Sequence, residues 1–408
     1  MDDIFTDSGT ITPTFDDKTI HFRGFGNFIY EYNTSLKSLK RLLPNFNLPL
    51  VGGEVVGERF IRGLTRDAVY VELSFDGTLL RKISLNQAGL GLIHTTPTTI
   101  TAYGEDVFLA ERQLRFFNTT NGIDNYYLMP GEPKTMCVFN QEMYIANYPG
   151  ALLWKYPLEL FKGSGQEIDL TNPTYLVLDI GESQYRPTSS RCGKDFIVVG
   201  TEPKYGLYGG AFTYYSNKGD WYTIRNIVPN HNIEALAIEE GSGYRYVYLG
   251  TSAAGGSGTS TLNENAHLVK FDLNEQKIIY DIIPVKDKNN KTISYIEYDA
   301  GFLFVLMKNG NLYKINAATG NIIEQNKADK FKQIVKSKNG NIYAARKNDF
   351  GLINKATLEF KKIITFNQLT TLAADTITNE IFIISNDYLY GYKISFNSTK
   401  QKTHYPYQ

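Results

Sequence analysis

The stretch from Gly181 to Asp272 constrains the fold of this chain more than any other, because two successive units in it follow one plan. In the first, Phe196 to Val199 lead into Gly200 and Thr201. A glycine-rich excursion then runs through Tyr205-Gly206-Leu207-Tyr208-Gly209-Gly210, and Ala211 to Tyr215 resume an apolar pattern. In the second, Tyr246 to Leu249 lead into Gly250-Thr251-Ser252, the excursion contains Gly255-Gly256-Ser257-Gly258, and Leu268 to Phe271 follow. A short apolar run that ends in Gly-Thr, breaks into glycine and then resumes reads as strand, loop and strand. Its recurrence is internal repetition, which decides architecture before any single residue does.

The rest of the chain repeats the plan in shorter form. Period-2 alternation begins almost at once, and capped helix-period stretches are scarce. Thr10 to Phe15, Thr19 to Arg23, Asn27 to Tyr32 and Leu36 to Leu42 make a first group of four short strands. Arg59 to Leu64, Ala68 to Ser74 and Thr78 to Leu85 follow, with Asp76-Gly77 as a hairpin turn. Thr98 to Tyr103, Asp106 to Ala110, Gln113 to Asn118 and Asn125 to Met129 form a third group, and Thr135 to Phe139, Glu142 to Ala146 and Leu152 to Tyr156 open a fourth. Beyond Asp272 the turns Asn309-Gly310-Asn311, Asn339-Gly340-Asn341 and Asn386-Asp387 punctuate further strands. Self-similarity at roughly 35 to 50 residues in a chain of this kind predicts an all-β, single β-propeller domain over residues 1–408, built of four-stranded antiparallel blades. Nine units can be counted; eight blades is the expected closed size, with seven and nine as its neighbours. The units at 181–285 are the distinctive ones.

Composition narrows the partners. Lys plus Arg number 42 and Asp plus Glu 42, so no net field steers the chain onto nucleic acid. No apolar run reaches the length of a membrane span, and the start MDDIFTDSGT has neither a basic nor an apolar leader region. That leaves an intracellular protein, or an extracellular or periplasmic one in mature or trimmed form. The two cysteines, Cys137 and Cys192, are too few for a disulfide framework; one bridge is open to them, and two unpaired buried thiols are the expectation.

At Tyr185 the sequence reaches residues that carry a resemblance. Tyr185-Arg186-Pro187, Val199-Gly200-Thr201, Pro203, Tyr205-Gly206, Gly209-Gly210-Ala211, Arg225-Asn226-Ile227-Val228, Gly250-Thr251-Ser252, Gly255-Gly256, Gly258-Thr259 and Glu264 together resemble a group of bacterial propeller proteins described as WD40-like or quinoprotein-like. The resemblance covers about a quarter of the chain. It implies a propeller that is often exported, and no settled chemistry. The Trp-Asp and Gly-His signatures of WD40 repeats are missing, and with only Trp154 and Trp221 the tryptophan-docking motifs of quinoprotein enzymes are missing too. Quinone chemistry is therefore disfavoured, and no cofactor is named by these residues.

Several propellers of similar strand plan are polysaccharide lyases, and this looser likeness defines the chemistry to look for. Uronate elimination needs a base for the C5 proton and a cation for the carboxylate. Tyr205 and His231 are candidate bases, and Arg225 a candidate catalytic cation. Tyr185, Arg186, Lys204, Tyr208 and Asn226 are candidate ligand-binding residues, with Arg186 suited to bidentate anion binding. A hydrolase would need paired carboxylates, for which Glu202, Glu234, Glu264 and Asp272 are available. The five histidines, His21, His94, His231, His267 and His404, show no metal-ligand spacing, and Gly255 to Thr259 is no phosphate loop. The expectation is a carbohydrate-binding or carbohydrate-active protein, lyase or glycoside hydrolase, acting on an acidic glycan. The competing reading is a non-enzymatic scaffold, a surface or virion component that grips a protein or glycan on one face.

Overall fold

The computed structural model describes residues 11–12, 19–23, 29–42, 50–56, 60–65, 69–74, 78–84, 97, 99–110, 113–127, 129–163, 169–385, 388–393 and 401–405. The expected turns at Asp76-Gly77 and Asn386-Asp387, and His94, lie outside them. The described strands form nine four-stranded sheets, and the chain divides into two compact units, Met1–Thr95 and Thr96–Gln408. The single domain expected over 1–408 is therefore described here as two units. Seven of these nine sheets lie in the second unit.

The first unit holds two sheets: β1 (Ile11–Thr12), β2 (Thr19–Arg23), β3 (Ile29–Asn33) and β4 (Ser38–Leu42), then β5 (Leu50–Val56), β6 (Phe60–Thr65), β7 (Val69–Ser74) and β8 (Leu79–Ser84). The second unit begins with β9 (Thr99–Tyr103), β10 (Asp106–Ala110), β11 (Leu114–Asn118) and β12 (Asp124–Tyr127). Next come β13 (Glu132–Phe139), β14 (Glu142–Tyr148), β15 (Leu152–Pro157) and β16 (Leu176–Asp179), the last delayed by a one-turn helix, α1 (Glu159–Lys162). The two distinctive units are β17 (Gln184–Cys192), β18 (Phe196–Pro203), β19 (Ala211–Ser216) and β20 (Trp221–Arg225), then β21 (Asn232–Ile238), β22 (Tyr246–Ser252), β23 (Leu268–Asp272) and β24 (Lys277–Ile282). Three more sheets follow: β25 (Ile293–Asp299), β26 (Phe302–Met307), β27 (Leu312–Asn316) and β28 (Ile322–Asn326); β29 (Gln333–Lys336), β30 (Ile342–Arg346), β31 (Asp349–Ile353) and β32 (Phe360–Thr365); β33 (Leu369–Ala374), β34 (Glu380–Ser385), β35 (Tyr388–Lys393) and β36 (Gln401–Tyr405).

Within the second unit the first strand of each sheet lies beside the first strand of the next, and β33, which opens the last sheet, lies beside β9. The Asp375 carboxylate accepts the Gly104 N–H at 2.7 Å across that junction, and Ala102 pairs with Asp375 in a parallel bridge. Ala102, Val107 and Leu109 share one apolar cluster with Phe382, Ile384 and Leu389. The burial pattern follows from this succession. Second strands such as β18, β22 and β34 are apolar on both sides and almost wholly buried, because each sheet is covered on both faces. Fourth strands such as β24 and β28 are largely exposed. A single cluster joins Phe196, Val198 and Phe212 of one sheet to Leu236, Leu249 and Phe271 of the next. Each such side chain contributes about 1.5–3 kcal/mol by leaving water.

The Gly-Thr pair that defines the repeat has two separable roles. A Cβ on Gly200 would lie 2.7 Å from Ile233 Cγ2, and one on Gly250 2.5 Å from Ile293 Cγ2, so glycine admits the first strand of the following sheet. The threonines are fully buried and stitch their own sheet. Thr201 Oγ1 donates to Gln184 Oε1 at 2.6 Å and accepts the Ala211 N–H at 3.0 Å. Thr251 Oγ1 accepts the His267 N–H at 2.8 Å and lies 2.9 Å from His231 Nδ1. In both units the hydroxyl joins the end of the second strand to the start of the first and to the run into the third.

The cysteines correct the expectation of two thiols. Cys137 on β13 and Cys192 on β17 form a disulfide, with Cα atoms 5.8 Å apart. Their 55-residue separation is one repeat, so the repetition itself brings the two first strands side by side. The polar tail also gains a place, since Gln401–Tyr405 pairs with β35 as the fourth strand of its sheet.

Candidate functional site

The two glycine-rich excursions, residues 204–210 between β18 and β19 and 253–267 between β22 and β23, interlock. Gly206 N–H donates to Ser257 O at 3.0 Å, Gly256 N–H to Leu207 O at 2.8 Å, and Tyr208 Oη to Ser260 O at 2.6 Å. A Cβ on Gly256 would sit 2.2 Å from Lys204 O, and one on Gly258, at φ +82, would meet the Tyr205 ring at 2.3 Å. These glycines therefore let one loop lie on the other, rather than cradle a ligand themselves. The connection between β20 and β21 joins the same network: Gly210 N–H donates to His231 O and Asn226 N–H to Gly210 O, each at 2.8 Å. Asn226, at φ +55, turns the chain and accepts the Asn230 N–H at 2.6 Å. The outcome is a cross-bonded loop face on which the Tyr205 ring meets Gly258 while remaining 75% exposed.

The other candidates lie within this neighbourhood but are engaged separately. Arg225 pairs with Glu182 at 3.0 Å and donates to Ile180 O at 2.5 Å. Arg186 pairs with Glu202 at 3.0 Å and covers the Tyr148 ring at 4.8 Å, and Tyr185 packs edge-on against that same ring. Lys204 N–H donates to Ser183 O at 2.8 Å. His231 is fully buried: Nδ1 faces Thr251 Oγ1, and Nε2 is 3.1 Å from Glu264 Oε2. The Glu264 carboxylate can only accept, so Nε2–H donates to it, and the neutral ring's Nδ1 accepts the Thr251 hydroxyl proton. The Thr-His-Glu string resembles an activated nucleophile, but both Thr251 and His231 are sealed from solvent. No hydrogen bond or ion pair joins any two of Tyr205, Arg225 and His231. Of the four carboxylates considered for hydrolysis, Glu202 pairs with Arg186, Glu264 meets His231, and buried Asp272 binds Arg245 at 2.7 Å.

Burial holds the His231 imidazolium in check and pushes its pKa below the ordinary value, against the hydrogen bond to Glu264. A lowered folded-state pKa means that the unfolded chain takes up the proton first as pH falls. The stability that His231 contributes is therefore complete above about pH 6.5, its unfolded pKa, and is lost as pH falls through the lower folded value. His231→Gln should flatten the loss of unfolding midpoint between neutral and mildly acid pH relative to the parent. Parallel midpoint-against-pH curves for the two proteins would contradict the neutral, buried assignment.

The Glu234 carboxyl, the carboxylate not yet placed, lines a cavity of about 990 Å³ between the first strands of all seven sheets of the second unit. Glu234 is the extra residue of a bulge in β21, opposite β22. Lys134 on β13, Thr188 on β17 and Ser294 on β25 occupy equivalent bulges and line the same cavity. Bulges re-aim side chains. Burial, and then the charge of Glu202, raise the Glu234 pKa to about 6, opposed by Lys308 and Arg186. Sequence reasoning counted Glu234 among ordinary carboxylates, since a register shift leaves no composition signal. Among the described residues no group of three or more His, Cys, Asp and Glu is placed to hold a metal, and no helix is long and apolar enough to cross a membrane.

Comparison with known proteins bears on the fold. A family model described as a domain of unknown function, DUF5074, matches residues 233–406. No curated protein matches the chain. The WD40 β-propeller domain of Doa1 is similar over 72% of this chain and 90% of its own, with 14% identity and a TM-score of 0.54. The computationally designed Ika8 protein is similar over 89% of this chain and 98% of its own, with 10% identity and a TM-score of 0.50. The all-β, propeller-like fold stands on these likenesses and on the sheets themselves.

Proposed function

We propose that residues 96–408 act as a closed seven-bladed propeller that binds a glycan on its loop face without breaking a bond. The observation that carries this reading is the Tyr205 ring, whose hydroxyl end lies against Gly258 of the interlocked loop while the side chain stays 75% exposed. An aromatic face fixed in advance offers stacking area to a sugar ring at little entropic cost. Lys204, exposed on the same loop, suits an acidic glycan. Against a lyase, the candidate arginines Arg225 and Arg186 are committed to carboxylates, and of the two candidate bases His231 is buried. The Cys137–Cys192 bridge supports an exported setting, because disulfides persist in oxidising compartments.

The test is a glycan array followed by titration of the tightest acidic polysaccharide. Tyr205→Ala should weaken binding about tenfold or more, as expected for loss of roughly 1.4 kcal/mol of stacking. Absorbance near 235 nm should stay flat throughout. A rise in absorbance would restore the lyase reading, and binding that ignores Tyr205→Ala would move the site elsewhere. Silence on the array would favour the competing scaffold, in which Tyr205 and the 44%-exposed Leu207 would meet a protein partner.

A further inference from the structure

The central cavity is a second candidate site, independent of the loop face. Its wall is polar by construction, because the four bulges aim Lys134, Thr188, Glu234 and Ser294 off the regular register of their strands. Most charged groups in or near that wall are already matched. Arg191 pairs with Glu297 at 3.2 Å, Lys336 with Glu240 at 3.2 Å, and Lys134 with Glu132 at 2.8 Å; beside the wall, Arg186 pairs with Glu202 at 3.0 Å. Thr188 donates to Ile233 O of the following sheet. Lys308 and Lys332 are exposed, so water serves them. Glu234 is different: it is half-buried, and no hydrogen bond or ion pair reaches it among the described residues.

A half-buried carboxylate without a partner costs free energy that a cation donor would recover. We propose that the cavity binds a ligand bearing a primary ammonium group, with the Glu234 carboxylate as its anchor. An ammonium fits better than an anion, because every shielded cation of the wall already has its acid. It fits better than a metal ion, because among the described residues no group of three or more His, Cys, Asp and Glu is placed to hold one. The cavity volume of about 990 Å³ admits a ligand of several residues or sugar units.

The probe is butylammonium chloride, titrated into the full chain at pH 7.5 against sodium chloride of equal ionic strength, with the unfolding midpoint as readout. Butanol and sodium butyrate serve as neutral and anionic isosteres. A rise in midpoint with butylammonium alone is expected, and in Glu234→Gln the same rise should require at least tenfold more of it. Without ligand, Glu234→Gln should unfold at the parent's midpoint or higher, because it removes an unmatched charge. The proposal is overturned by an equal rise in Glu234→Gln, by a rise with butyrate or with calcium chloride in place of butylammonium, or by no rise with any probe. A lowered midpoint for ligand-free Glu234→Gln also overturns it, since Glu234 would then hold a partner within the fold.

Discussion

Replacing Cys137 and Cys192 together with alanine is expected to destabilise the second unit by about 4 kcal/mol, the chain-entropy value for a closed loop of this length. The loop spans 55 residues and joins the first strands of consecutive sheets, so in the unfolded chain it holds together segments a whole repeat apart. For a unit of this size the change corresponds to a fall in unfolding midpoint on the order of 6 °C. The folded state should change little. Cys137 and Cys192 pack at the edge of a cluster containing Phe139, Tyr144, Ile197 and Val199, and alanine leaves that cluster in place. Reductant should reproduce the fall in the parent and do nothing to the double variant. If parent and variant unfold at the same midpoint with and without reductant, the bridge contributes nothing to stability.

What the sequence disclosed and what it hid divide along a physical line. Strands whose apolar run is uninterrupted, such as Phe196 to Val199 and Phe302 to Met307, are legible because burial on both faces demands runs of apolar residues. β5 was missed, since Gly52 and Gly53 interrupt its pattern, and β16 was missed because α1 and a further turn delay it. The Gly-Thr pair was visible as a repeat but not as a reason: only packing shows that glycine faces the next sheet and threonine its own. The candidate site fared less evenly. The glycine-rich loops and Tyr205 were marked by composition, whereas the burial of His231 depends on Thr251 and Glu264, 20 and 33 residues away. Glu234 was the least legible, because its direction is set by a bulge against β22 rather than by its neighbours in sequence.

Alanine at the repeat glycines should show how tightly the sheets are stacked, and the expected order of damage is Gly210, then Gly250 and Gly200. A Cβ on Gly210 would lie 2.1 Å from Thr201 O and 2.9 Å from Asn232 Cα, both backbone atoms that can move only with their strands. At Gly250 the obstacles are Ile293 Cγ2 at 2.5 Å and Ile296 Cδ1 at 3.0 Å, and at Gly200 they are Ile233 Cγ2 at 2.7 Å and Ile233 O at 2.8 Å. Overpacking of this kind costs about 1–3 kcal/mol, with Gly210→Ala at or above the upper end. Gly241→Ala, whose Cβ would meet only Tyr298 Oη at 3.6 Å, should stay within about 0.5 kcal/mol and serves as the control. Denaturant midpoints for the four variants decide the matter: equal values would mean that the sheets slide apart freely and that the glycines are there for turns alone. Thr201→Val isolates the second half of the pair, because it strands Gln184 Oε1 and the Ala211 N–H, at about 1–3 kcal/mol. Gly200→Ala carries a further consequence. Ile233 stands immediately before the Glu234 bulge, so a strand pushed off Gly200 moves the cavity carboxylate with it. Gly200→Ala should therefore weaken the butylammonium response as well as the fold, whereas Gly250→Ala, which presses on Ile293 ahead of the Ser294 bulge, should weaken the fold and leave that response largely intact.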